Sequence, residues 1–190
     1  MTFGFQSDDQ IFPSSRAAAA IWIALIALLS VGGSFVFACA TPLAAIAALA
    51  ATRMDGRTGL TLVVTAWLTN QIVGYGFLAY PHTLDSYAWG AALGGAAIAA
   101  FAAARLASGM IRSWLVLPVL SFFMAFAAYE FALYLAGLPL GSSDDAFSEA
   151  VIVQVFEVNA LSFMGLVTLS AIANALARLP VFAQTASKAA

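Results

Sequence analysis

The chain has 190 residues, of which 63% are hydrophobic and only 8% are charged, and its mean hydropathy is +0.97. This small number of polar residues cannot cover the surface of a soluble globule. The composition therefore excludes a soluble globular protein and indicates a membrane protein. A net charge of -2 without a basic tract argues against nucleic-acid binding. The single cysteine excludes an intramolecular disulfide and a multi-cysteine metal site.

The apolar runs predict an all-α, polytopic membrane protein with six transmembrane helices in one domain. About 20 helical residues are needed to cross the roughly 30 Å hydrocarbon core. The first run is too long for the apolar part of a cleavable signal sequence. In chain order, the sequence predicts a lead-in at residues 1–15, spans at about 17–38, 43–52, 59–80, 87–101 or slightly beyond, 113–137 and 147–179, and a tail at 181–190.

The second predicted span is unusually short. After Pro42 only ten residues, Leu43 to Thr52, precede Arg53. Such a segment can cross only if residues 35–42 enter the membrane as irregular chain, which is tolerated where protein or a water-filled cavity surrounds it. The span should end in a tight turn in which Gly56 supplies unusual backbone angles.

The basic residues fix the orientation of the predicted spans. They fall into alternate connections, and the intervening connections contain no Lys or Arg. Since basic loops face the cytoplasm, both termini are predicted to be cytoplasmic. The basic residues are Arg16, Arg53, Arg57, Arg105, Arg112, Arg178 and Lys188.

Two carboxylates, Glu130 and Glu157, lie within predicted spans, where charged groups are costly and often functional. Counted from the span ends, they lie about 10 and about 15 Å below the outer surface, and Gln71 lies about 13 Å below it. Asn70 is its neighbour. Polar groups of three helices are therefore expected at similar depth.

Helical spacing predicts which of these groups share a face. Trp67, Gln71 and Tyr75 form one stripe, Gln154 shares a face with Glu157, and Tyr134 stands one turn above Glu130. We expect these faces to line a cavity that opens outward. An alternative stays open, because such groups also serve as hydrogen bonds between helices. The predicted substrate-binding set is Cys39, Trp67, Asn70, Gln71, Tyr75, Glu130, Tyr134, Gln154 and Glu157.

Two further outer features allow more than one interpretation. Cys39 lies in the irregular segment before Pro42, where it is either a small buried residue or a soft ligand for a metal centre. Tyr80 and Trp89 are most simply aromatic anchors at the membrane interface.

The layout resembles the substrate-binding S components of energy-coupling-factor vitamin transporters. The resemblance lies in the six spans, the short second helix after Pro42, and the cytoplasmic turn at residues 53–59. The run at residues 90–97 is similar to the glycine- and alanine-rich fourth helix of that family. Ala20 and Ala24 match the Ala-x-x-x-Ala pattern by which its first helix contacts the coupling subunit.

This resemblance implies a multi-pass protein of the inner membrane that binds a vitamin or metal near its outer face, with coupling and ATPase subunits as possible partners. Solitary relatives include the cobalamin transporters of the BtuM type, in which a cysteine ligates the corrinoid cobalt. Cys39 is the candidate equivalent. The corrinoid would be the substrate, and the protein would have no cofactor of its own.

The sequence therefore leaves two functions open. The first is uptake of a small vitamin or cofactor, with cobalamin as the best candidate. The second is a non-transport assembly factor or partner subunit whose polar residues only hold helices together. Catalysis is not expected, because the sequence contains no His-rich metal cluster, no nucleophile-base pair and no phosphate-binding loop.

Overall fold

A computed structural model describes residues 41–111, 113, 116–141 and 146–177. Within these ranges the protein is all-α, which confirms that part of the predicted fold class, and its five helices overlap in sequence with the predicted second to sixth spans. The predicted first span at 17–38, Cys39 and the tail at 181–190 lie outside the described residues. The helices are α1 (Leu43–Arg53), α2 (Gly56–Gly76), α3 (Leu84–Met110), α4 (Val116–Leu140) and α5 (Glu149–Ala177).

Three of the described helices are long and apolar enough to cross a membrane. They are α3, α4 and the Glu149–Ala171 part of α5. This finding supports the predicted membrane location. Helix α1 has only 11 residues, as the short second span predicts.

The end of α3 differs from the prediction. The fourth span was expected to stop near Phe101, whereas α3 continues to Met110 and contains Arg105. Alanine, the best helix former, occupies residues 102–104 and continues the helix. A helix of 27 residues is about 40 Å long, which is more than the length needed to cross a hydrocarbon core of about 30 Å. Arg105 therefore lies in helix rather than in a loop.

The turn between α1 and α2 is built by Asp55. Its carboxylate accepts hydrogen bonds from the backbone N–H groups of Arg57, at 3.0 Å, and Thr58, at 3.1 Å, which makes it the N-cap of α2. Hydrogen bonding with Thr58, first with its side chain and then with its backbone, lowers the pKa of Asp55 below its usual value. Gly56 has no positive φ and begins the helix, so the prediction that it supplies unusual angles was wrong. The chain turns at Met54 and Asp55, which are extended.

Helix α1 is the core of the described bundle. Its residues Leu43 to Ala51 are all buried, and it contacts α2, α3, α4 and α5. An apolar helix without a polar face is expected to be enclosed by other helices. Six of these nine residues are alanines, whose small side chains allow close approach of the surrounding helices. The short helix at the predicted second span is therefore enclosed by the other described helices.

Candidate functional site

The chain reaches α1 through an irregular, buried segment formed by Thr41 and Pro42. A helix N-terminus leaves backbone N–H groups without partners inside the helix, and burial makes each such group costly. Pro42 has no N–H, and its side chain makes no capping hydrogen bond. The Leu43 N–H donates to the Thr41 carbonyl oxygen at 2.8 Å.

Asn159 of α5 supplies the missing cap. Its Oδ1 accepts a hydrogen bond from the Ala45 N–H at 3.1 Å, and its Nδ2 donates to the Val155 carbonyl oxygen at 2.9 Å. Asn159 is fully buried. A side chain 114 positions along the chain thus satisfies the first turn of α1. Asn70 of α2 holds the preceding segment, because its Oδ1 accepts a hydrogen bond from the Thr41 hydroxyl.

The other end of α1 is held by Arg105 of α3. Its Nη1 donates to the carbonyl oxygens of Ala51 and Met54, each at 3.1 Å. A cation at a helix C-terminus also interacts favourably with the helix dipole. Close packing completes this end, since a Cβ added to Gly59 would meet the Phe101 ring and the Ala50 carbonyl oxygen.

A cavity of about 470 Å³ adjoins the N-terminal end of α1, and we call it the α1 cavity. This volume lies within the range of roughly 300 to 1,000 Å³ typical of small-molecule sites. All five described helices, or the segments next to them, contribute to its wall. The lining residues are Thr41, Leu43, Asn70, Tyr80, Trp89, Leu93, Tyr129, Glu130, Leu133, Ala146, Phe147, Val151 and Val155.

Glu130 is the one carboxylate that lines the α1 cavity among the described residues. Its Oε1 is buried and has no hydrogen-bond partner within the part of the chain that the structure describes. Four aromatic residues also line the cavity, and apolar side chains form most of the remaining wall. The site therefore combines a mostly apolar surface with one unsatisfied acceptor.

The predicted stripe on α2 does share one face, but that face meets α3. Trp67 Nε1 donates to the Gly90 carbonyl oxygen at 2.8 Å, and the Tyr75 hydroxyl lies 3.1 Å from the Ser86 hydroxyl. Gln71 also lies against Gly90, and its Nε2 is buried without a partner among the described residues. The three stripe residues do not line the α1 cavity, whereas Asn70 beside them does.

Of the predicted site residues on α4 and α5, some line the α1 cavity and others do not. Glu130 lines the cavity, while Gln154 and Glu157 are exposed and do not line it. Tyr134 is also exposed, and its ring packs edge-on against that of Phe147 at 5.7 Å, next to the cavity. The structure thus brings together Asn70 and Glu130 of the predicted set.

Several lining residues were missed by the sequence interpretation. Thr41 adjoins Pro42 in the predicted irregular segment, and this position was the signal that could have identified it. Tyr80 and Trp89 were assigned to the membrane interface, yet both line the cavity. Tyr129 is buried beside Glu130 and carried no pattern that would have distinguished it.

No metal site is evident in the described ranges, where no three His, Cys, Asp or Glu residues form a group that could hold an ion. Comparison of the chain with protein-family models, with curated proteins and with solved structures finds no match in any of the three. The likeness to S components therefore stays a prediction.

Proposed function

We propose that the protein binds a small vitamin or cofactor in the α1 cavity and serves its uptake across the inner membrane. The observation that carries this proposal is a Glu130 oxygen that has no hydrogen-bond partner among the described residues and lies in a cavity beside a helix that begins inside the bundle. Interrupted helices flanking a cavity are typical of transport sites. An intramembrane carboxylate without a partner is a functional group by default.

The proposed topology has six spans, with both termini in the cytoplasm and the α1 cavity on the outer side. This topology is supported by the position of the basic residues at one end of α1 and of the cavity at the other. Arg53, Arg57 and Arg105 cluster at the C-terminal end of α1, and the cavity lies at the opposite end. Basic residues favour the cytoplasmic side. The cavity then opens outward, as uptake requires.

Cobalamin is the specific candidate substrate. Cys39 precedes Thr41 by two residues, and Thr41 lines the cavity. Two residues of extended chain span at most about 7 Å, and this short separation along the sequence makes Cys39 the proposed ligand at this cavity. A thiolate is a soft ligand suited to the corrinoid cobalt. Transport rather than catalysis is the proposed role, and the corrinoid is its substrate rather than a resident cofactor.

A titration of the purified protein with aquocobalamin tests this proposal. The visible spectrum should shift on binding, and Cys39→Ser should abolish the shift while the protein stays folded. Absence of any shift or co-purified corrinoid would exclude cobalamin. A parallel binding screen of other vitamins then tests the wider proposal, and failure of every vitamin to bind would reject it.

One observation favours the second candidate, a partner subunit. Gln154 and Glu157 are exposed on α5 within the part of that helix that is apolar enough to span. Polar side chains at such depth are costly against lipid, so another protein surface would stabilise them. Co-purification of a stoichiometric membrane partner without vitamin binding would support this function instead.

A further inference from the structure

The charge of the α1 cavity restricts the ligand it can take. Glu130 is an acid in its wall, and the described lining residues include no Lys, Arg or His. The described basic residues at α1, Arg53 and Arg105, both lie at its far end, where Arg105 binds carbonyl groups of that helix. Eleven helical residues separate the two ends by about 16 Å. An anionic ligand would therefore meet a carboxylate without a compensating described cation.

The N-terminus of α1 does not reverse this preference. Helix N-termini bind anions through their free N–H groups. Here the N–H groups of Leu43, Ala45 and Ile46 already donate to Thr41, Asn159 and Pro42, respectively. Since Pro42 has no N–H, the Ala44 N–H is the one donor of this first turn for which the described residues supply no acceptor, so little donor capacity is left for an anion.

The hydrogen-bonding groups of the cavity point to a donor on the ligand. The oxygen of Asn70 accepts from Thr41, whereas Glu130 Oε1 is buried without a partner among the described residues. Leaving such an acceptor unpaired costs about 1 to 3 kcal/mol, and more if it is charged. A ligand N–H group would satisfy it and gain this energy.

The aromatic residues add a requirement on shape and charge. Tyr80, Trp89, Tyr129 and Phe147 all line the cavity. Aromatic faces attract cations and stack on flat rings. A flat, positively charged group therefore matches both the rings and the carboxylate.

From these observations we infer that the α1 cavity selects ligands that carry a cationic, N–H-donating group on a flat ring, with Glu130 as the residue that determines this specificity. The inference rests on the proposed ligand-binding function and narrows it to a chemical class.

Three probes that share one ring system test the inference. At neutral pH 4-aminoquinaldine is a cation with N–H donors, quinaldine is neutral without a donor, and quinaldate is an anion. Calorimetric titration of the purified full-length protein should show 4-aminoquinaldine binding at least about tenfold more tightly than the other two, since a hydrogen bond to a charged group contributes about 1.5 to 3 kcal/mol. This order uses the wild-type chain, so it does not depend on the folding of a variant.

Substitution then assigns the preference to Glu130. Glu130→Gln keeps the size of the side chain but removes the charge, so the preference for the cation should fall about tenfold. Glu149→Gln makes the same change on an exposed residue outside the cavity and should leave the preference intact. Equal binding of all three probes, tighter binding of quinaldate, or an unchanged preference in Glu130→Gln would overturn the inference.

The two proposals can fail separately. If a vitamin binds while the probes show no preference, the inference on ligand class is wrong and the proposed uptake function stands. If neither the probes nor any vitamin binds, both are wrong.

Discussion

The two ends of α1 show how one short buried helix serves two purposes. At its C-terminal end, Arg105 binds two carbonyl groups, and Gly59 and Phe101 pack closely. At its N-terminal end, a neutral amide from Asn159 caps the first turn, and a cavity remains beside it. The C-terminal end of α1 is therefore held by an arginine and by close packing. The N-terminal end is capped, but the space beside it remains a cavity.

In the proposed topology this difference follows from where each end would lie in the membrane. A helix that begins inside the hydrocarbon region needs polar partners from protein, because no water is present to supply them. Asn159 meets that need with an uncharged group, so it adds no buried charge. The end near the basic residues can use an arginine, whose charge remains close to water.

The largest expected effect is at the capped end. Asn159→Leu keeps a similar volume but leaves the Ala45 N–H without its acceptor, which should lower the free energy of unfolding by about 2 to 3 kcal/mol. Thermal unfolding in detergent measures the change. Ser170→Ala is the control, because Ser170 is equally buried but bonds only within its own helix, to Val167 at 2.7 Å. Equal losses in the two variants would contradict the capping role.

A smaller effect is expected from packing at the closed end. Gly59→Ala forces its Cβ against the Phe101 ring and the Ala50 carbonyl oxygen, and such overpacking costs about 1 to 2 kcal/mol. Gly76→Ala is the control, because nothing lies within 4 Å of a Cβ added there. Thermal unfolding should distinguish them, and a Gly59→Ala protein as stable as the control would show that this end is loosely packed.

Removal of the arginine should cost less, since Arg105 is exposed. Arg105→Gln loses the two hydrogen bonds to α1 and should lower the free energy of unfolding by about 1 kcal/mol. Arg57→Gln removes an equal charge from the neighbouring turn and controls for the change in net charge. Equal losses of stability in the two variants would show that the loss comes from the change in net charge and not from the contacts of Arg105.

The smallest effect is expected at the Asp55 cap. Asp55→Ala should cost about 0.5 to 1 kcal/mol, whereas Asp55→Ser should retain most of the cap. Because hydrogen bonding lowers the pKa of Asp55 in the folded state, its contribution is present above the unfolded value of 3.8 and is lost as the pH falls through the lower folded value. The stability difference between wild type and Asp55→Ala should therefore shrink only in acid. A difference that grows as the pH falls would refute this sign.

The sequence predicted the all-α class, the short α1 and the irregular chain at Thr41 and Pro42, because length and composition determine these features directly. It predicted the site only in part. Helical spacing shows that Trp67, Gln71 and Tyr75 share a face, but it does not show which neighbouring helix that face meets. One residue turns a helix by about 100°, so Asn70 reaches the cavity and Gln71 does not.

The carboxylates illustrate the same limit. Glu130 and Glu157 were grouped by depth, which spacing along a helix determines. Their directions depend on the packing of α4 and α5 around α1, which no pattern within either helix encodes. Asn159, which is buried five residues after exposed Gln154 and two residues after exposed Glu157, shows its capping role only through its contact with Ala45.

The most direct test of an outward-opening α1 cavity is the reactivity of single cysteines placed on α4 in a Cys39→Ser background. Leu133 lines the cavity, whereas Leu135 is exposed on the same helix and does not line it. A membrane-impermeant thiol reagent applied outside intact cells should label Leu133→Cys and leave Leu135→Cys unlabelled, since a thiol against lipid cannot ionise and react. No labelling of Leu133→Cys, or labelling only after the cytoplasmic side is opened, would contradict the account.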